Sequence, residues 1–549
     1  VGEVTDSPAN AVGRSSKVVL IVIVLIAVVT RATGFTHGDL WFDDAWAALP
    51  ARVGIGSAVH MAASTPLYTL FMRSWIALFP NLTWWSQLPA FILGVASIIA
   101  IYRLTIYFEI RRGIAQLVAL ALAVSPVAVD YSTRVKQYNG DILLACLLLW
   151  LFEAWRREAN TVTSRRLLLA GAVAPLISAT TIVVTLPIMG VVGILAFYDK
   201  ARRRSSAVII IGALGVFALE YAVWLSHLSS SLFRGWTNRG FMLRTDVFHW
   251  FCFSLQVMFS SFFHYLLALP TGHPPDPDKS ITSMGSFMAL VGVVTLAVLL
   301  VPSIWESVRT RGRSVRPLLV PAVILVTSVL LAFVGVSPFG GGRTDEVVYP
   351  AVLILLAGLF GRIRQRLVDR VGPRALIAIT IILTSCLLWS GVENHARYPV
   401  LNLRSVVAEM RSSVRPGDVI VVDPWATFTW ALDDLSPTKV SFENAMFPWS
   451  QGFHVVSLDP RVVISQEYYF GDSTWSNLFT LGTKFRRIWY VGVTISPDGF
   501  QRPGHSDDLI HTRNYNFLTT WGWKPSGLYF TAPNTEALLL TVPGLDLHR

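Results

Sequence analysis

Charge is scarce in this sequence: only 14% of its 549 residues are Asp, Glu, Lys or Arg. A soluble domain carries about a quarter, so a single water-surrounded globule is excluded for most of the chain. Cysteine is scarcer still. The three present, Cys146, Cys252 and Cys386, lie in apolar stretches. None has metal-ligand spacing, and a disulfide framework is not expected. There is no internal repeat and no low-complexity tract.

Apolar sequence fills the space. Hydrophobic residues make up 53% of the chain and the mean hydropathy is +0.53. They come in blocks of about 15–21 residues, each able to cross a bilayer of roughly 30 Å as a helix. After residue 392 the blocks stop and ordinary soluble composition begins. Two domains are therefore expected, a transmembrane part over 1–391 and a soluble extracytoplasmic part over 392–549.

The net charge of +11 raises the question of a nucleic-acid partner. The basic residues argue against one, because they sit in short clusters between apolar blocks: Arg111–Arg112, Arg156–Arg157, Arg165–Arg166, Arg202–Arg204, Arg309–Arg313 and Arg362–Arg366. That is the positive-inside pattern, which sets orientation in a membrane. With every cluster cytoplasmic, spans are expected at 18–33, 87–107, 113–129, 141–155, two within 166–198 joined near Thr180-Thr181, 207–225, 284–302, 317–334, 347–361 and 374–391. The first is read as an uncleaved span, since no small-residue cleavage site follows it. Residues 66–79, broken by Arg73 and ended by Pro80, are too short to cross and are expected to lie as an interfacial helix.

About eleven spans make an odd number. The amino terminus is then cytoplasmic and the tail extracytoplasmic, in a multi-pass protein of the plasma (inner) membrane. Outer loops are expected at 34–86, 130–140, 226–283 and 335–346. The long third loop includes His273-Pro274-Pro275-Asp276-Pro277-Asp278. The tail reads as α/β: an amphipathic helix over 402–414 with Val406, Val407 and Met410 on one face, a turn at Pro416-Gly417-Asp418, and strands near 419–423, 487–493 and 537–542.

Three polar clusters fall on the outer side. Asp43 and Asp44 adjoin an aromatic cluster; an acid there either caps a helix or serves as a general base tuned by partial burial. Asp130, Arg134, Lys136, Tyr138 and Asp141 share one short loop, which either holds an anionic headgroup or is a solvated loop with Asp141 as cap. Gly340-Gly341-Gly342-Arg343 either offers backbone N–H groups and a guanidinium to a phosphate or is a flexible hairpin. The tail tryptophans Trp425, Trp430, Trp449 and Trp475 are read mainly as core, with stacking on sugar rings as the alternative.

These residues carry a resemblance. The chain resembles the GT-C glycosyltransferases, and within them the family-39-like group of protein O-mannosyltransferases and the lipid A aminoarabinose transferase. The marks are Asp43-Asp44 where the family often has Asp-Glu, Thr65-Pro66-Leu67-Tyr68, Gln87-Leu88-Pro89, Val135-Lys136-Gln137-Tyr138-Asn139-Gly140-Asp141, and Phe339-Gly340-Gly341-Gly342-Arg343. The resemblance covers roughly residues 18–360. It implies a GT-C fold and inverting transfer from a polyprenyl-phosphate sugar to an extracytoplasmic glycan, glycolipid or protein acceptor.

Asp43 would then deprotonate the acceptor, with Asp44 as the competing choice. Asp141 would orient the acceptor or bind a divalent cation, with Asp130 competing for its place. Lys136 and Arg343 would neutralise the departing phosphate, with Arg134 and Tyr138 beside them. The metal implied is Mg or Mn, held by Asp43 and Asp141. Arginine in excess over lysine points to a GC-rich genome, and decaprenyl-phosphate arabinose with an arabinan acceptor is the leading specific donor, ahead of polyprenyl-phosphate mannose or glucose. The rival classes are a lipid transporter or flippase, a membrane scaffold that presents the tail, and an envelope polymerase or ligase using a lipid diphosphate.

Overall fold

The computed structural model describes residues 8–61, 65–80, 82–158, 160–198, 203–223, 241–243, 248–267, 318–340, 342–393, 401–423, 426–441, 454–464, 487–493, 523–532 and 535–541. The span expected at 284–302 and the loop 273–278 lie outside these residues, as do Trp425, Trp449 and Trp475.

Along the chain run α1 (Pro8–Ala32), α2 (Phe42–Ala48), α3 (Ile55–Met61), α4 (Pro66–Leu78), α5 (Thr83–Tyr107), α6 (Arg112–Ala123), α7 (Pro126–Asp130) and α8 (Tyr138–Arg157). Then come α9 (Thr161–Ile177), α10 (Ile182–Tyr198), α11 (Arg203–Val223), α12 (Phe248–Leu267), α13 (Leu319–Phe333), α14 (Tyr349–Val371) and α15 (Pro373–Glu393). The last helices are α16 (Leu403–Arg411) and α17 (Thr427–Leu432), set among β1 (Val419–Val422), β2 (Thr438–Ser441), β3 (His454–Ser457), β4 (Val462–Ile464), β5 (Arg487–Val493), β6 (Lys524–Ala532) and β7 (Thr535–Thr541).

The chain forms two compact units that are not consecutive in sequence. One takes residues 1–34, 88–226 and 230–397; the other takes 35–87, 227–229 and 398–549. The sequence reading placed the first outer loop with the spans, whereas the structure groups 35–87 with the tail. The reason is local: Phe42 of α2 packs on Phe428 of α17, ring centroids 4.8 Å apart, and Trp46 stacks on the same ring at 6.2 Å.

The helical unit has one continuous apolar core running through α1, α5, α6, α8, α10, α13 and α14. Thr83–Tyr107, Tyr138–Arg157 and Thr344–Gly361 are each long and apolar enough to cross a membrane. Arg112–Ala123 with Pro126–Thr133 passes as a bent pair, and shorter apolar stretches include Ala179–Leu195, Ser206–Leu219 and Leu319–Phe333, so length and composition alone do not reach eleven spans among the described residues. The break expected near Thr180-Thr181 is present as a short 3-10 turn, Ala179–Thr181, between α9 and α10.

One expected span is broken. Residues 113–129 are not a single helix: α6 ends at Ala123 and the chain bends by 61° before continuing in the next helical turns. Pro126 stands at the first helical position of α7. Proline lacks an N–H and pushes the residue before it out of the helical region, so an apolar run alone cannot carry a helix across it; Ser125 accordingly has extended angles.

A helix end inside an apolar bundle leaves carbonyls without donors. Arg31, in the last turn of α1, supplies them. Its Nη1 donates to Ala123 O at 2.6 Å and its Nη2 to Leu122 O at 3.3 Å. The guanidinium is fully buried, and its charge acts on the buried Glu346 carboxylate. Below, at the other end of α8, Glu153 takes Arg156 and Arg157 at 2.6 and 2.8 Å.

The second unit holds a five-stranded sheet in the order β4-β1-β5-β7-β6. β1 is parallel to β4 and β5, while β7 is antiparallel to β5 and β6. Val419–Val422 is buried throughout, as a strand flanked on both sides must be. The α16 face Leu403, Val406, Val407 and Met410 is buried. Polar groups below the sheet are paired: Trp489 Nε1 donates to Asp418 Oδ2 at 3.1 Å and Tyr490 OH to Asp423 Oδ2 at 2.5 Å. Trp430 is fully buried, with Nε1 donating to Ser436 Oγ at 2.9 Å, so it is core.

Two substitutions test this account. Arg31→Met removes the side-chain donor at Ala123 O and a buried cation whose charge acts on Glu346, and should cost about 1–3 kcal/mol, read as a lowered melting temperature in detergent; a double-mutant cycle with Glu346→Gln should report the coupling between the two side chains. Gly340 has φ +83 and a Cβ there would lie 2.3 Å from Met258 O. Gly340→Ala should therefore lower the melting temperature, by an amount corresponding to roughly 1–3 kcal/mol or more.

Candidate functional site

The loop from Asp130 to Asp141 is not solvated. Arg134 and Lys136 are 7% and 6% exposed, and Asp141 is buried at 1%. Asp130 and Tyr138 are half-buried. Asp130 faces Arg134 at 4.0 Å, and the Tyr131 and Tyr138 rings meet edge to face at 5.1 Å.

Asp141 is not a cap either. The cap position of α8 is Gln137, which makes no side-chain cap bond. Asp141 sits further into the first turn, where Thr180 Oγ1 donates to its Oδ2 at 2.5 Å. Thr180 in turn pairs with Ser178 Oγ at 2.9 Å. The 3-10 turn between α9 and α10 thus supplies the hydroxyl that holds this carboxylate. Its Oδ1 is buried without a hydrogen-bond partner, and so are both amide atoms of Asn139 and both carboxylate oxygens of Glu346.

Glu346 is fully buried on the 3-10 turn Arg343–Val348, which packs against α8. The charges that act on it are those of Asp141, Arg31, Asp130 and Asp345. A Cβ on Gly94 would lie 3.1 Å from Ser132, 3.3 Å from Asn139 and 3.4 Å from Arg31 Nε, so α5 closes tightly over the same group. Buried polar atoms left without protein partners are ordinarily met by water or a ligand. The helical unit thus holds a compact polar centre made of Arg31, Asn139, Asp141 and Glu346.

The glycine turn is used differently from the expectation. Gly342, with φ +76, donates its N–H to Asp345 Oδ2 at 3.1 Å, and Gly340 also hydrogen-bonds that carboxylate. These two N–H groups therefore hold an internal anion in place of a phosphate. Phe339 stacks on Phe262 at 4.7 Å, which anchors the turn. Arg343 opens the 3-10 turn, and its side chain lies outside the described residues.

In the second unit, Asp43 and Asp44 occupy the first turn of α2, whose cap residue is Trp41 with no side-chain cap bond. Neither acid is the cap. Both stand where the helix dipole favours negative charge. They differ in access: Asp44 is fully buried, and Asp43 is half-buried. Gln87 is fully buried and its Oε1 accepts from Thr36 N at 3.0 Å, which ties the start of the loop to the start of α5.

The structure thus brings Asp130, Arg134, Lys136, Tyr138 and Asp141 together in one unit, with the backbone of Arg343. It sets Asp43 and Asp44 in the other. Asp43 and Asp141, expected as metal ligands, belong to different units, and no group of three His, Cys, Asp or Glu side chains suited to a metal occurs among the described residues. No step below runs through a metal. Sequence reasoning missed Arg31, Glu346 and Thr180. Arg31 carried a signal, being a lone cation at the end of an apolar span; Thr180 carried none.

No protein-family model matches the chain, and no curated protein matches it. Among solved structures it is similar to ArnT from Cupriavidus metallidurans in the apo state, at 12% identity and a TM-score of 0.48 over 96% of this chain and 98% of that one. It is similar to the Archaeoglobus fulgidus oligosaccharyltransferase in complex with Zn and sulfate, at 14% identity and a TM-score of 0.48 over 95% of this chain and 72% of that one. It is also similar to the S. cerevisiae protein O-mannosyltransferase Pmt1-Pmt2 complex bound to the sugar donor, at 16% identity and a TM-score of 0.31 over 48% of this chain and 37% of that one.

Proposed function

We propose that the protein is an inverting membrane glycosyltransferase that moves a sugar from a polyprenyl-phosphate donor to an extracytoplasmic envelope acceptor. The observation that supports this most is the burial of the Val135–Asp141 motif. Lys136 of that motif, the neighbouring Arg134 and the anchored Asp141 are all withdrawn from water, where a solvated loop would leave them outside. A lipid phosphate is the anion that such a place suits, because its headgroup takes the cations and its chain the bilayer.

In this reading the acceptor hydroxyl attacks the anomeric carbon as the bond from that carbon to the phosphate oxygen breaks. Asp43 takes the hydroxyl proton; it is the more accessible of the two adjacent acids. Lys136 and Arg343 meet the charge that gathers on the departing phosphate. Charge stabilisation of this kind is worth several kcal/mol where water is excluded. Asp141, fixed by Thr180, orients the acceptor. The leading donor is decaprenyl-phosphate arabinose with an arabinan acceptor, followed by polyprenyl-phosphate mannose or glucose. The amino terminus is cytoplasmic and the tail extracytoplasmic in this arrangement.

A second reading has one observation in its favour. Buried ionisable groups inside a bundle, here Arg31 and Glu346, are also what a lipid-phosphate transporter uses. The two readings part on chemistry. Purified protein in nanodiscs, given synthetic polyprenyl-phosphate arabinofuranose, mannose and glucose with matching acceptors, should transfer one sugar. Asp43→Asn should lower kcat by roughly 10²–10⁴-fold while melting as the wild type does. Transfer that survives Asp43→Asn keeps the class and moves the base to Asp44 or elsewhere. Lipid-phosphate binding without transfer from any donor sinks the transferase and leaves the transporter.

A further inference from the structure

Helix α2 carries the acid pair, yet it has little to hold itself in place. It spans seven residues and has no side-chain cap, and a helix that short is not stable alone. Its position comes from residues almost four hundred positions later, and all of these contacts fall within the second unit.

The three residues that lead towards α2 are each pinned. A Cβ on Gly38 would meet Leu401 O at 2.1 Å, so the backbones touch there. Asp39 N donates to Leu401 O at 2.9 Å. Leu40 O accepts from Thr429 Oγ1 at 2.8 Å. The Asp39 carboxylate is held at both oxygens by Arg404, through its backbone N–H at 3.0 Å and its Nε at 3.4 Å. Arg404 also bonds Asp433, the residue that follows α17. Past α2, Arg52 Nη1 donates to Leu432 O at 2.8 Å and its Nη2 to Pro80 O.

We infer that Arg404 and Asp433 are positioning residues for Asp43: they act through Asp39 to set the entry of α2, and the tail thereby places the base of the transfer reaction. The catalytic half of this statement rests on the function proposed above; the positional half does not.

The cluster has a titration that makes it testable. Burial, and then the facing Asp39 carboxyl, push Asp433 up to about 7, against the pull of Arg404. The Asp39 and Asp433 carboxyls are within hydrogen-bonding reach of each other, a bond that needs one proton between them. The charged groups around Asp433 are Asp39 from the loop, Arg404 from α16, and Arg52, on which Asp433 and the exposed Asp434 both act. A carboxyl whose folded value is raised binds its proton more tightly in the closed cluster than in the open one. The stabilisation is full below the ordinary carboxyl range, is lost as pH rises towards 7, and is gone above it.

Hydrogen exchange on the full-length protein in nanodiscs reads this directly. In the wild type, the protection factors of amides 42–48 should fall at least about 10-fold between pH 5 and pH 7 and then level off. Asp433→Asn, which keeps a donor facing Asp39, should flatten that dependence. Arg404→Met should lower protection at every pH, and Arg404→Lys should restore part of it. In the transfer assay, Arg404→Met should reduce kcat with little change in KM for the lipid donor, and Asp433→Asn should remove one limb of the kcat pH profile. An unchanged pH dependence in Asp433→Asn, or wild-type protection of α2 in Arg404→Met, overturns the positioning role. Wild-type kcat in an Arg404→Met protein that has lost α2 protection overturns the catalytic half alone. If the wild type transfers no sugar, the proposed function fails, and exchange by itself decides whether Arg404 and Asp433 position α2.

Discussion

An interrupted helix inside an apolar bundle is the constraint around which the helical unit is arranged. Pro126 ends α6 early; Leu122 O keeps a long backbone bond from Ser125 N at 3.4 Å, and Ala123 O is left where water is scarce. An unmet carbonyl in such surroundings costs several kcal/mol. Arg31 donates to both carbonyls, and its own burial is costly. The buried Glu346 carboxyl, on the turn after the glycines, lies close enough for the charges of Arg31 and Asp141 to act on it, although its two oxygens make no hydrogen bond. Asp141, Asn139 and Glu346 keep atoms that no described protein group satisfies. That is where a bound substrate or ordered water would complete the accounting.

The same reasoning separates structural carboxylates from candidate functional ones. Asp418 has Arg487 Nε at 3.1 Å and Trp489 Nε1 at 3.1 Å, and Glu153 is shared by two arginines. Asp345 takes the glycine N–H groups. These acids are fully engaged and serve the fold. Asp141 is held at Oδ2 by Thr180, with Ser178 also hydrogen-bonding the carboxyl, and its Oδ1 is buried with no hydrogen bond of ordinary length and angle. A carboxylate that is fixed and incompletely used is better prepared for a substrate than one that is free to rotate.

Much of the architecture could be read from apolar blocks, because a bilayer-length run needs no long-range partner to declare itself. Helices α8, α9, α10, α13 and α15 fall close to the expected segments, and the strands at 419–422 and 487–493 follow from short apolar runs bounded by turns. The bend after α6 was not read, since the apolar run continues across Ser125-Pro126 and hydropathy does not register a missing N–H. Residues 35–87 were assigned by neighbourhood in sequence, whereas their company is decided by the Phe42 and Trp46 contacts with Phe428. The polar centre was half legible. Asp141 belongs to a motif, but Arg31, Glu346 and Thr180 come from three other segments, and only folding makes them neighbours. The glycine turn differs for a similar reason: the N–H groups of Gly340 and Gly342 go to Asp345, three residues past Gly342.

Asp43 and Asp44 differ in access because consecutive residues on a helix are about 100° apart, so two adjacent acids can face different surroundings. The α2 core side is fixed by Phe42, Ala45, Ala47 and Ala48, all buried, and Asp44 goes in with them. A buried acid in the first turn gains from the helix dipole but has no route to a bulky acceptor. Asp43, on the half-exposed side, keeps the same favourable dipole and can be approached. Asp44 is thus buried with the core residues of α2, and Asp43 is the more accessible of the two.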